Sequence, residues 1–252
     1  MQISHPNQNI ACLMKMTQDG SIVDERCILQ NALEGKGETD FYYSYLQNLK
    51  CDVLFITNNS KVGPAVTLKS ANNSITEAVP FLGFRHCPAC TAVLDPKGLV
   101  SYNSNVFNDT TLIVVVGSKT CPKEYLDYLK DKEISYTFAG EDGCDLRSAL
   151  KSLYADFGLR KSLLVGDSIL NASFFNKRLV DELYVMVNLG ADKKNMESSI
   201  IEDNLYRNNL PLLGQKFELL GIKKIMPSMS MFHYKIRFYE IEDNTSTVRH
   251  NF

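Results

Sequence analysis

From residue 111 to 189 the chain repeats one pattern: a short apolar run, a turn, a segment of helical period, then another apolar run. The series begins with "TLIVVVGS" (111–118), whose unbroken apolar character predicts a strand buried on both faces, of the kind found at a sheet's centre. After it come helix "PKEYLDYLKDK", strand "ISYTFAG", helix "DLRSALKSLYADFG" stopped by Gly158, strand "KSLLV", helix "SILNASFFNKR" and strand "DELYVMVNL". Strands alternating with helices of this length call for right-handed βαβ crossovers, and so for a parallel sheet with helices packed on it.

The flanks extend that sheet. "NIACLMKM" (9–16), closed by "QDG", predicts a buried first strand. "ETDFYYSYLQNLK" (38–50) has Thr39 or Asp40 as N-cap and Phe41, Tyr45, Leu46 and Leu49 at helical spacing, so it predicts a helix feeding strand "CDVLFIT". Residues 58–90 are rich in Asn, Ser, Gly and Pro and read as mostly irregular, with "AVTL" the one strand; "TAVLD" (91–95) resumes the sheet and ends at "PKG". Near the C-terminus "KFELLGIKKI" and "MFHYKIRFYEI" have no helix between them and read as an antiparallel hairpin on the sheet edge. The expectation is a single α/β domain over residues 1–252, with a mainly parallel central sheet flanked by helices and a C-terminal antiparallel hairpin.

A chain of 252 residues can bury a sizeable core without disulfides or metals. With 27 basic and 29 acidic side chains, net −2, nothing in the charge favours nucleic acid or an anionic membrane, which leaves small molecules or proteins as partners. No apolar run reaches the ~20 residues of a membrane span, and the N-terminus lacks a signal-peptide layout, so a soluble, cytoplasmic protein is expected. Seven scattered cysteines, an odd number, point to reduced thiols.

In an open parallel sheet, ligands sit beyond the carboxyl ends of the strands, near helix N-termini. One such place is "LLVGDSILNASFF" (163–175), where Ser168 comes after a strand and opens a helix. Its turn resembles the Gly-Asp-Ser-Leu lipase and esterase family. That family's Asp-x-x-His has no counterpart here, because neither His233 nor His250 carries such an Asp, and a serine without a placed base is a weak nucleophile. Two readings of the turn stay open together: Ser168 caps the helix, and the free N–H groups of that helix bind phosphate.

With the residues C-terminal to it included, the longer stretch "LLVGDSILNASFFNKRLVDELYVMV" is similar to the signature region of the pyrimidine reductase domain of riboflavin biosynthesis, a dihydrofolate reductase-like fold; the matching frame is "LVDEL" (179–183). "LMKMTQDGSIV" (13–23) resembles that family's first strand and loop, through Lys15, Asp19 and Gly20. "CDVLFITNNS" resembles its Asp-Ala-Ile-Leu-Val-Gly-x-x-Thr segment, and "TAVLDPKGLV" its Val-Val-Leu-Asp-x-x-Gly strand. The resemblance implies an NADPH-dependent oxidoreductase acting on an aminopyrimidine ribose phosphate or a related small substrate, and a homodimer. By position it implies Gly166, Asp167, Ser168, Ile169 and Leu170 along the dinucleotide phosphates, with Ser118 and Lys119 at the adenosine 2′-phosphate. Ser60 would also border the cofactor, Asn58 and Asn59 the substrate, and Asp19 with Lys15 the reaction centre.

Three places depart from the family pattern: Val165 stands for its acidic residue, Asp167 for its second glycine, and "KVGP" (61–64) for its Asp-Asp-Pro block. They support an alternative of another class, a non-catalytic ligand-binding or scaffold protein that kept the fold.

Elsewhere, "FRHCPAC" (84–90) places His86 beside Cys87 and Cys90; zinc there would need further ligands such as Cys121, and loop cysteines without a chemical role are the reading adopted, with no metal expected. His233 is read as a packed or paired histidine, and the apolar edge hairpin as a surface a second copy can cover.

Overall fold

The computed structural model describes residues 8–17, 22–23, 50–57, 77–83, 89–107, 110–165, 168–188, 196–197 and 214–239. In chain order these form β1 (Asn9–Thr17), β2 (Ile22–Val23), β3 (Val53–Thr57), β4 (Cys90–Leu94), β5 (Val106–Phe107), β6 (Thr110–Val116), α1 (Lys123–Asp131), β7 (Ser135–Phe138), α2 (Leu146–Phe157), β8 (Lys161–Leu164), α3 (Ser168–Asn176), β9 (Glu182–Asn188), β10 (Met196–Glu197), β11 (Gln215–Met226) and β12 (Met229–Phe238). The helix expected over 38–50 and the strand "AVTL" fall, apart from Lys50, outside the described residues.

The strands join in the order β11-β12-β9-β1-β8-β3-β4-β6, with β7 and the short β5 beside β6. From β9 to β7 every one of these neighbours except β5 pairs in parallel, as the strand–helix alternation requires. The C-terminal hairpin is antiparallel and docks through β12 on β9, pairing Met229 with Asn188 and Lys235 with Glu182. Residues Thr111 to Val116 of β6 are all buried, and the strand lies between β4 and β7, the interior position its apolar run predicts.

Alternation along the strands sorts the core onto two faces. On one, Val53 and Phe55 of β3, Ile113 and Val115 of β6 and Leu164 of β8 pack with Leu146, Leu150 and Leu153 of α2 and Phe174 of α3. The Phe55 and Phe174 rings meet edge-on at 5.4 Å. On the other, Tyr125, Leu126 and Leu129 of α1 cover β6 and β7, and a second cluster gathers Ala11, Leu13, Leu163, Val165, Met186, Met229 and Met231. Leu54 packs against both of these clusters and places them on one face.

Local sequence signals set the helix ends. The Asp145 carboxylate accepts from Ser148 N at 3.2 Å to cap α2, and Gly158 closes it in the left-handed region at φ 71°.

Candidate functional site

Because they run in parallel, β1, β3, β4, β6, β7, β8 and β9 end along one edge of the sheet, where α1, α2 and α3 begin. Three loops of this edge are tied to one another. Gly117 N donates to Pro96 O at 3.0 Å, Ser118 N to Gly140 O at 2.9 Å and Lys119 N to Glu141 O at 2.8 Å, while Thr120 Oγ1 donates to Pro96 O at 2.7 Å. A Cβ on Gly117 would come within 2.6 Å of Gly143 N, and one on Gly143 within 2.5 Å of the Pro96 ring, so the loops after β4, β6 and β7 touch through their backbones.

Below them Asp95, fully buried, accepts from Leu99 N and Val100 N and from the Tyr125 hydroxyl at 3.0 Å. Burial, reinforced by the Asp95 charge, pushes the nearby Cys121 thiol up to about 12, which makes it an inert packing group.

Of the residues implied at the site, five have described side chains. Lys15 lies near the end of β1, half-buried, on the strand side that carries Ala11 and Leu13. Ile169 is 48% exposed in the first turn of α3, while Leu170 turns into the core, so contact between Leu170 and a ligand would run through its backbone. Ser118 is half-buried after β6. Lys119 does not stand alone: its Nζ lies 2.7 Å from Glu141 Oε1. Ser168 is the first residue of α3, which brings the helix N-terminus to the carboxyl edge next to β8. Asp19, Asn58, Asn59, Ser60, Gly166 and Asp167 lie outside the described residues.

Two residues gain meaning from where the fold puts them. Val165, where the resemblance expects an acidic residue, is buried among Ala11, Leu13, Leu163 and Met186, and its N donates to Phe55 O at 3.1 Å. Glu141 lies between the segments read as a strand and a helix, and only the pairing of β6 with β7 brings it to Lys119.

Cys90 of the "FRHCPAC" stretch is buried in the core, and His86 and Cys87 lie outside the described residues. His233 pairs with Glu182 at 2.9 Å and stacks on Tyr184 at the opposite, amino end of β9. An apolar pocket of about 440 Å³ opens on the α3 face, lined by Met14, Met16, Phe175, Val187, Phe217 and Tyr234 among others.

The strand order and the helix-lined carboxyl edge define a dihydrofolate reductase-like α/β domain. The family model of the RibD C-terminal domain matches residues 62–199, more than half of the chain, and the chain belongs to that family. Among solved structures it is similar to a pyrimidine reductase-like protein from Corynebacterium diphtheriae, at 13% identity and TM-score 0.61 over 91% of this chain and 92% of that one. It is also similar to Acinetobacter baumannii RibD, at 12% identity and TM-score 0.61, over 93% of this chain but 60% of that one. A third is the Saccharomyces riboflavin biosynthesis reductase Rib7, at 11% identity and TM-score 0.55, over 94% and 93%. At such identities the likeness establishes the fold alone. No curated protein sequence matches the chain.

Proposed function

We propose that the chain is an oxidoreductase that transfers a hydride from a reduced nicotinamide dinucleotide to a small heterocyclic or sugar-phosphate substrate, in the manner of a riboflavin-pathway pyrimidine reductase. The observation that supports this most is the carboxyl edge in a member of this family: three loops locked together after β4, β6 and β7, with the N-terminus of α3 standing next to β8. A helix N-terminus offers free N–H groups and a partial positive charge, which suits a pyrophosphate. From β8 to β6 is three strand spacings, about 14 Å, a span that one extended dinucleotide covers.

The nicotinamide supplies the hydride when bound, and the chain's own work is to hold donor and acceptor together. In this reading Gly166, Asp167 and Ser168 carry the phosphates, with Ile169 and Leu170 contributing backbone N–H groups. Ser60 borders the cofactor, Asn58 and Asn59 orient the substrate, and Asp19 and Lys15 flank the reacting carbons. The protein works in the cytoplasm as a homodimer on a small molecule, without nucleic acid or membrane.

Titration with NADH and with NADPH, followed by nicotinamide fluorescence, tests the reading. Saturable binding of either is the expected result, and no response to either at millimolar concentration would sink it. One observation favours a second reading, a ligand-binding protein without catalysis: Val165, which the resemblance sets at the family's acidic position, is built into the core. Dinucleotide binding with no oxidation across a panel of pyrimidine ribose phosphates would decide for that reading.

A further inference from the structure

We propose that Glu141 makes this chain select a dinucleotide whose adenosine ribose keeps its free 2′-hydroxyl, as in NADH, over one that carries a 2′-phosphate. The inference rests on the reductase reading above.

The resemblance assigns the 2′-phosphate to Ser118 and Lys119, and a lysine there suits a phosphate as a point charge. In the structure that charge already has a partner. Lys119 comes after β6, Glu141 after the adjacent β7, and their side chains meet at 2.7 Å. Their backbones are fixed relative to each other, because Ser118 N donates to Gly140 O and Lys119 N to Glu141 O between the two turns that follow β6 and β7. Gly117 and Gly143 hold the two loops at a separation that leaves no room for a Cβ. Glu141 is therefore carried to Lys119 by the frame, not by a loose loop.

Both side chains are about 70% exposed, so the pair adds little to folding stability. Its consequence falls on the ligand. A 2′-phosphate that reaches Lys119 has to meet the Glu141 carboxylate, and like charges at contact distance repel. A ribose 2′-hydroxyl meets the same carboxylate as a hydrogen-bond donor, the use to which an acidic residue is put in NAD-specific dinucleotide folds. The other acids of this loop are engaged elsewhere: Asp142 accepts from Cys144 N at 2.8 Å, and Asp145 accepts from Ser148 N and Oγ as the α2 cap. Their charges deepen the negative field, and Glu141 is the one directed at Lys119.

The test is to measure Kd for NADH and NADPH by nicotinamide fluorescence on the full chain and on Glu141→Gln. Displacement of bound NADH by 5′-AMP against 2′,5′-ADP on the unmodified protein gives a readout that needs no variant. NADH should bind about tenfold tighter than NADPH, the discrimination that ~1.4 kcal/mol supplies, and 5′-AMP should displace better than 2′,5′-ADP. Glu141→Gln should close most of that gap by tightening NADPH. Equal or tighter binding of NADPH by the unmodified protein overturns the proposal, for example through the exposed Lys97 on the neighbouring loop. So does a gap that Glu141→Gln leaves unchanged. If neither dinucleotide binds, the reductase reading itself has failed and this inference goes with it.

Discussion

At Gly98 the backbone takes φ +65°, and a Cβ there would stand 2.5 Å from the Tyr125 ring. That ring cannot give way, because it is fully buried and its hydroxyl is held between Asp95 Oδ2 at 3.0 Å and Val100 O at 2.7 Å. Gly98→Ala therefore combines a left-handed backbone with a clash, and is expected to cost about 2–4 kcal/mol. Tyr125→Phe keeps the ring and strips the donor from a buried carboxylate, at about 1–3 kcal/mol. Urea unfolding of both variants at constant m-value checks the two figures. The Asp95 turn was legible in "VLDPKG", since Asp and Gly at that spacing announce a tight turn. Its partner was not, because Tyr125 comes 30 residues later on a helix whose periodicity says only that the position faces the core. Glu141 was illegible for the same reason: a side chain whose meaning depends on a neighbouring strand leaves no local trace.

Among elements, the junction of β9 with β12 carries a polar cluster at the amino end of the sheet. Glu182 Oε2 meets His233 Nε2 at 2.9 Å and accepts from the Tyr184 hydroxyl at 3.0 Å, and Lys235 lies 3.7 Å from Oε1. Burial alone would raise the Glu182 carboxyl, but hydrogen bonds from His233, Tyr184 and Asn9 and the Lys235 charge outweigh it and hold the pKa below the usual 4.5. A carboxyl depressed in the folded state contributes stability that is present above its unfolded pKa, near 4.5, and lost as pH falls through the folded value. Glu182→Gln should thus cost about 1–2 kcal/mol near neutral pH and flatten the loss of stability with acid, as read from urea midpoints between neutrality and the carboxylate range. A variant whose acid slope matches the parent would show that other carboxylates carry it. The helices and strands from β6 to β9 were legible because apolar runs and helical segments alternate there, and at α2 the Asp145 cap and the Gly158 stop mark both ends. The two-residue strands β2, β5 and β10 were not, being too short to show a period, nor was the register shift in β11 between Leu219 and Gly221, which only pairing with β12 reveals.

On the scale of the whole molecule, the described strands form an open sheet whose two ends are treated differently. Among the described residues the edge beside β6 is short, the two residues of β5 and the four of β7, the latter bridged by Phe81 through Tyr136. At the other end β11 runs twelve residues and, among the described residues, pairs on one side only, with β12. Leu219, Leu220 and Ile222 are each about half exposed or more, at 49%, 53% and 60%, with Glu218 on one side and Lys223 and Lys224 on the other. A long edge strand with an apolar centre and a charged rim is the pattern of a surface that pairs, and it aggregates unless something covers it. A second copy can cover it through a two-fold contact, which removes both edges at once. Sedimentation equilibrium should then give a mass that rises from one chain to two with concentration. Ile222→Glu should hold the chain monomeric, with a thermal midpoint measured in dilute solution little changed, because an exposed substitution of this kind moves folding stability by about 0.5 kcal/mol or less. A parent that sediments as a single chain throughout would leave β11 to be protected by its charges alone, and would end the expectation of a homodimer through this edge.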